Sequence, residues 1–168
     1  MQAIARAKQG IGICAGIAIA ILCGNGAGAA DQEEILGTWL TEGGESHIQL
    51  VKCDDAVCGD IVWIHEWDAT DADGNPATDQ NNSDPELRDR PLIGLRIFRD
   101  FRPSPGNGNT LKGKVYNPQD GKSYQSFLTP LVAGKLKVKG CILGGWICGS
   151  EYWTKIRVVR GAASESLR

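Results

Sequence analysis

Ser46-His47-Ile48-Gln49-Leu50-Val51-Lys52-Cys53-Asp54-Asp55-Ala56-Val57-Cys58-Gly59-Asp60-Ile61-Val62-Trp63-Ile64-His65 reads as an antiparallel hairpin carrying its own disulfide. Two runs of strand-like composition, Ser46–Lys52 and Gly59–His65, flank a break at Asp54-Asp55-Ala56-Val57. That is the pattern of two strands and a turn. If Cys53 faces Cys58 across this loop, Leu50 falls opposite Ile61 and Ile48 opposite Trp63, four apolar side chains on one face. Val51 then meets Asp60, and His47 meets Ile64, on the more polar and therefore outer face. One apolar and one wetted face describe an antiparallel sheet wrapped around a core.

The same rhythm continues on both sides. Strand-like segments recur at Gly37–Thr41, Leu92–Phe98, Leu111–Asn117, Ser123–Thr129, Lys135–Gly140 and Glu151–Val159. Glycine, proline, Asn and Asp supply the turns between them, for example Pro118-Gln119-Asp120-Gly121. With the hairpin this makes about eight strands and no long helical periodicity, which predicts an all-β fold, a single antiparallel barrel or sandwich.

Residues 1–30 differ from the rest. Arg6 and Lys8 precede an apolar run from Ile11 to Leu22, and Ala27-Gly28-Ala29-Ala30 closes the segment. A basic start, an apolar stretch of about a dozen residues and small residues at its end read as a signal peptide cut after Ala29 or Ala30. The run is too short for a bilayer-spanning helix, which needs about 20 residues. Cys14 and Cys23 follow Ile13 and Leu22, bulky where lipidation wants a small residue. The expectation is an exported protein, periplasmic or secreted, with membrane contact only through the cleaved segment. The domain is expected over 31–160 and a flexible tail over 161–168.

The remaining cysteines are Cys53, Cys58, Cys141 and Cys148. Three pairings are formally open, and the two local ones, Cys53–Cys58 and Cys141–Cys148, are favoured in an oxidising compartment. A four-cysteine zinc site is the weaker alternative, since the gaps are wider than most zinc knuckles use. Each short loop closed in this way contributes roughly 2–2.5 kcal/mol in the chain-entropy model.

Charge divides along the chain. From Asp31 to Arg90 there are 16 acidic and 3 basic residues, and from Pro91 onward 4 acidic and 13 basic ones. Interleaving of the two halves in one barrel is expected to cancel most of this. An exported protein is a poor candidate for binding nucleic acid. Lys135, Lys137 and Lys139 point one way from their strand and read as a solvated face, with contact to an anionic envelope polymer as the alternative.

Trp67–Pro91 interrupts the strand rhythm with a connection of about 25 residues, the length of a lid or binding loop. Its start, Asp68, Asp71, Asp73 and Gly74, fails as a calcium loop. Placing Gly74 at the sixth position puts Ala69 first and Gln80 twelfth. Ser83-Asp84-Pro85-Glu86 predicts a helical turn, capped by Ser83 with Glu86 reaching back, or by Asp84 with Pro85 first. Arg88 and Arg90 are read as ties from this connection to the barrel through Asp84, Asp89 or backbone carbonyls. Binding of a carboxylate or phosphate is the competing reading.

No catalytic constellation stands out. His47 and His65 are the two histidines, and no nucleophile elbow or phosphate-binding glycine loop is present. No metal site and no cofactor are expected, and the oligomeric state is left open.

Gly37-Thr38-Trp39 resembles the G-x-W opening of lipocalins and related calycin barrels. Asp79 through Leu95, with Asp84, Arg88 and Arg90 inside it, resembles the central signature of the exported bacterial domain-of-unknown-function family 2147. Val115 through Tyr124, with Asn117, and the stretch from Val138 through Cys141 and Cys148 to Thr154 continue the pattern. The resemblance implies a lipocalin-like barrel of about eight strands. It makes Gly37, Asp84, Arg88, Arg90, Asn117 and Lys155 structural signature positions. Two departures stand out: Leu111-Lys112-Gly113 replaces a Trp and a Gly-Gly pair, and Lys155 stands where an Arg is common. In lipocalins that Arg packs over the opening Trp, so Lys155, or Arg157 two residues on, would have to cover Trp39, and Lys lacks the planar stacking group.

An eight-stranded barrel has room inside for packed side chains or for one ligand. The leading expectation is a non-enzymatic binder of a small, partly apolar molecule, lined by Trp39, Trp63, Trp153, Leu50, Ile61 and Tyr116. A rival is an envelope adaptor or inhibitor acting through protein or polymer contact. A hydrolase using carboxylates comes third.

Overall fold

Eight consecutive antiparallel strands make up the described chain. The computed structural model describes residues 33–71, 73–142 and 147–156. The strands are β1 (Gly37–Leu40), β2 (Ser46–Cys53), β3 (Ala56–Ile64), β4 (Arg96–Pro103), β5 (Leu111–Asn117), β6 (Lys122–Leu131), β7 (Lys135–Ile142) and β8 (Ile147–Ile156). Each pairs with its neighbour in sequence, and β1 returns to β8, closing the barrel in the order 1 to 8. The signal segment expected over 1–30 and the tail expected over 161–168 lie outside the described residues. Among those described, no helix is long and apolar enough to cross a membrane.

Both disulfides join the favoured pairs, Cys53–Cys58 and Cys141–Cys148. The register of the first hairpin is corrected by two residues. Cys53 lies opposite Ala56, so the turn is Asp54-Asp55 alone, with Asp54 at φ 54°. Asp tolerates this left-handed conformation better than most residues. The disulfide therefore runs diagonally to Cys58. A shift of two preserves each residue's face, so Ile48, Leu50 and Ile61 still point inward. A bulge between His47 and Ile48 does not preserve it: Ile48 opposes Ile61, while His47 opposes Trp63. The extra residue turns Trp63 outward, where it is 38% exposed and its ring lies 4.4 Å from that of His47. The expectation that Trp63 faces the interior is thus overturned.

β4 begins at Arg96 and not at Leu92, because Leu92–Leu95 closes a turn in which Leu95 N donates to Leu92 O. β8 starts earlier than expected, at Ile147. Of the two proposed starts for the helical turn, Asp84 before Pro85 is the one adopted: Asp84 caps Pro85–Leu87 and accepts a bond from Glu86 N at 3.0 Å.

Inward side chains build one core. Trp39, Leu50, Phe98, Phe101, Leu111, Leu128 and Leu136 keep no more than 1% of their surface exposed. Trp153 meets Phe98 edge-on at 5.5 Å. One end is closed by the helical residues 33–35. Ile35 is fully buried, and its carbonyl accepts from Trp39 Nε1 at 2.8 Å. Lys155 does cover Trp39: its ammonium lies 5.2 Å from the ring centroid and donates to Glu34 O at 2.8 Å. Point-charge attraction to the ring face replaces planar stacking. Gly37, at φ +126°, permits this approach, since a Cβ there would sit 2.9 Å from Lys155 Cε.

The charge expectation is also corrected. An up-and-down order keeps neighbours in sequence as neighbours in space, so the acidic and basic parts of the chain are not interleaved. The outer face of β4–β8 gathers Arg99, Arg102, Lys112, Lys114, Lys135, Lys137 and Lys139.

Candidate functional site

The β1–β2 turn, the β3–β4 connection and the β5–β6 turn share the end opposite residues 33–35, as alternating strand direction requires. The 25-residue connection lies along this rim. A helical turn, Glu66–Ala69, starts it, and His65 N donates to Glu45 O at 2.8 Å. Bridges Thr70–Pro76 and Thr78–Pro91 fold it back on itself.

Asp79 pins it down. This carboxylate is fully buried. It accepts from Tyr116 Oη at 2.6 Å, Asn82 Nδ2 at 2.7 Å, and Arg90 Nε and Nη2 at 2.9 and 2.7 Å. Burial alone would raise its pKa. The bonds from Tyr116, Asn82 and Arg90 outweigh that and hold the carboxyl below its ordinary value. Tyr116 is pushed up, by burial first and then by the bond it donates to Asp79. Both oxygens of Asp79 are bonded by groups that orient the carboxylate, the arrangement of a structural clamp.

Around the clamp, Arg88 Nε donates to Asn82 O at 2.8 Å, a bond within the connection itself and not a tie to the barrel. Arg90 pairs with Asp79, and not with Asp84 or Asp89. Asn81 Nδ2 reaches Pro118 O and Gln119 O at 3.2 and 3.1 Å, fastening the connection to the β5–β6 turn. Asn117 shapes that turn by accepting from Gln119 N at 3.1 Å. Gly121 is needed at its end: it adopts φ +68°, and a Cβ would come within 1.9 Å of Asn81 O.

The two fastened segments enclose an open cleft of about 290 Å³. Thr70 and Thr78 bring hydroxyls, Asp71 a carboxylate, and Gln80, Asn81 and Gln119 amides, beside apolar Ala77, Leu92 and Pro118. The lining carries no cationic side chain. Asp71 is held below its ordinary pKa by bonds from Asn75 and Asp73, and so stays ionised.

The residues expected to line a ligand cavity are dispersed. Trp39, Trp153, Leu50 and Ile61 belong to the buried core, Trp63 stands outside, and Tyr116 serves the Asp79 clamp. None of them lines the rim cleft. Sequence reading missed Asp79 as the hub, although it lies inside the recognised signature. Its partners Arg90 and Tyr116 are 11 and 37 residues away, and no local spacing links them. His47 and His65 both sit against Trp63. Among the described residues, no three His, Cys, Asp or Glu side chains gather as metal ligands.

The barrel resembles a solved structure, protein HP1028 from the human pathogen Helicobacter pylori, described as belonging to the lipocalin family. The TM-score is 0.58 at 22% identity, covering 73% of this chain and 83% of that one. At that identity the likeness speaks to the fold, a lipocalin-like barrel. No curated protein matches the sequence. Residues 37–155, nearly the whole barrel, match the family model described as an uncharacterized protein conserved in bacteria, DUF2147, and the chain belongs to that bacterial family.

Proposed function

We propose that the protein is an exported, non-enzymatic binding protein that holds a small polar molecule in the rim cleft, with the barrel as its scaffold. One contrast carries this reading. A ligand-sized void at the barrel centre would leave accessible surface on the side chains lining it, yet the central inward residues, among them Trp39, Leu50, Phe98, Leu128, Leu136 and Trp153, are almost wholly buried. Two neighbouring antiparallel strands need only a short turn, whereas β3 and β4 are joined by a long segment that walls a concavity. At about 290 Å³ the cleft falls at the small end of ligand sites, which run to roughly 1,000 Å³. Hydroxyls, amides and one carboxylate without a cation suit a neutral or cationic ligand bearing hydroxyl or amine groups. They disfavour an anion such as a fatty acid.

The test is amide chemical-shift mapping with monosaccharides, polyols and small amines, beside a fluorescent fatty-acid analogue. Saturable shifts confined to Thr70–Asn81 and Gln119, abolished by the cleft-filling Gln119→Trp, are expected. Saturable one-to-one binding of the fatty-acid analogue with quenching of Trp39 and Trp153 would restore the interior site and refute the rim.

A further inference from the structure

The outer surface of β4–β8 concentrates positive charge in a way that a purely structural role does not explain. Arg99 lies directly opposite Lys114, and Arg102 directly opposite Lys112. Like charges facing each other across two strands destabilise a sheet. Arg102 is relieved by an ion pair with Asp55. Among the described residues, Arg99, Lys112, Lys114, Lys135, Lys137 and Lys139 have no carboxylate within salt-bridge distance. The row continues from Lys112 to Phe127 on β6 and Lys139 on β7. It crosses four strands, about 15 Å at the usual strand spacing.

Two aromatic rings sit among these cations. Lys139 Nζ lies 5.8 Å from the Phe127 centroid, and Tyr152, opposite Lys137, is 47% exposed. At the edge of the same face, Val132 in the β6–β7 turn is 87% exposed, three residues before Lys135. Lysines with aliphatic stems, half-exposed rings and one bare apolar tip match a lipid headgroup layer, where charge meets phosphate and rings and tip meet the acyl boundary. A soluble polyanion would use the cations but leave Val132 and Tyr152 without a role. The strands of this face all come from the basic part of the chain, so the face presents net positive charge to an anionic surface.

We propose that the β4–β8 face docks the barrel peripherally on an anionic phospholipid surface. Docking is independent of the rim cleft and leaves it open.

Co-sedimentation with vesicles of phosphatidylcholine containing about a third phosphatidylglycerol should show binding at low salt, weakened by high salt. Vesicles of phosphatidylcholine alone should not bind. Lys112→Gln, Lys114→Gln and Lys137→Gln should each weaken binding about fivefold, while Lys52→Gln, on β2, should leave it unchanged. Val132→Asp should weaken it without altering the melting temperature. Because Lys114→Gln relieves a like-charge pair, the free variant should be at least as stable as wild type, which separates lost binding from lost fold. Absence of binding to anionic vesicles, equal binding to neutral ones, indifference to the three lysine changes, or binding to polyphosphate chains but not to vesicles would each overturn the proposal.

Discussion

Asp79→Ala tests the clamp that orders the rim. The substitution removes the acceptor of four hydrogen bonds at 2.6–2.9 Å, two of them from one guanidinium. A single hydrogen bond to a charged group contributes about 1.5–3 kcal/mol net, but bonds sharing one carboxylate do not add. Removing one partner of a buried ion pair costs about 3–5 kcal/mol. Here the Arg90 side chain keeps 28% of its surface exposed and can recover water, which lowers the cost. Tyr116 and Asn82 retain their bond to each other at 3.0 Å. The expected loss is therefore about 2–4 kcal/mol, or roughly 10 °C in melting temperature for a domain of this size. Urea unfolding followed by circular dichroism measures it. Asp84→Ala, which removes only an exposed cap, should cost under about 1 kcal/mol. A loss below about 1 kcal/mol for Asp79→Ala, or equal losses for the two variants, would refute the assignment of Asp79 as the hub.

Acid stability should carry the same signature. Asp79 has a folded pKa below its unfolded value, so the native state binds fewer protons. Its stabilisation is complete above the ordinary Asp range near pH 4 and is lost as pH falls through the depressed folded value. Asp79→Asn should flatten the pH dependence in that acidic window and leave the neutral slope unchanged, as read by urea midpoints across pH. Tyr116→Phe should speed amide exchange at Asp79, Asn82 and Leu92, whose N–H groups bond within the connection, and spare the strands opposite. Gly121→Ala, which would force a left-handed backbone and a clash with Asn81 O, should cost about 1–3 kcal/mol in thermal denaturation. Trp63→Phe should remove more iodide-quenchable fluorescence than Trp39→Phe or Trp153→Phe.

What was legible in the sequence was local. Strand-like composition and turn residues gave the number of strands, because both are properties of a few adjacent residues, but they placed β4 four residues early and started β8 four residues late. The pairing of Cys53 with Cys58 was legible for the same reason, but the register was not, since a disulfide can join diagonal as well as facing positions. The bulge that turns Trp63 outward inserts one residue into an otherwise regular alternation, and composition gives no sign of it. Asp79 stayed hidden among 16 acidic residues of its half, because its role depends on Tyr116, which only the closed barrel brings near. Lys155 over Trp39 was legible through family resemblance, since both occupy positions whose pairing the barrel geometry dictates.

Strand order decides what charge asymmetry means. In a Greek key or a doubly wound sheet, distant parts of the chain alternate in space, and an acidic first half beside a basic second half would largely neutralise. In a sequential meander each stretch keeps its own strands together, so the basic stretch forms a continuous positive flank of the barrel wall. The like-charge pairs Arg99–Lys114 and Arg102–Lys112 arise because β4 and β5 come from one basic stretch and pair with each other. The barrel tolerates that repulsion because its stability lies elsewhere, in the filled interior and the two disulfides. On the proposed reading, a barrel with a packed centre, a clamped rim and a charged flank recognises its partners on its outside, whereas a hollow one would bind within.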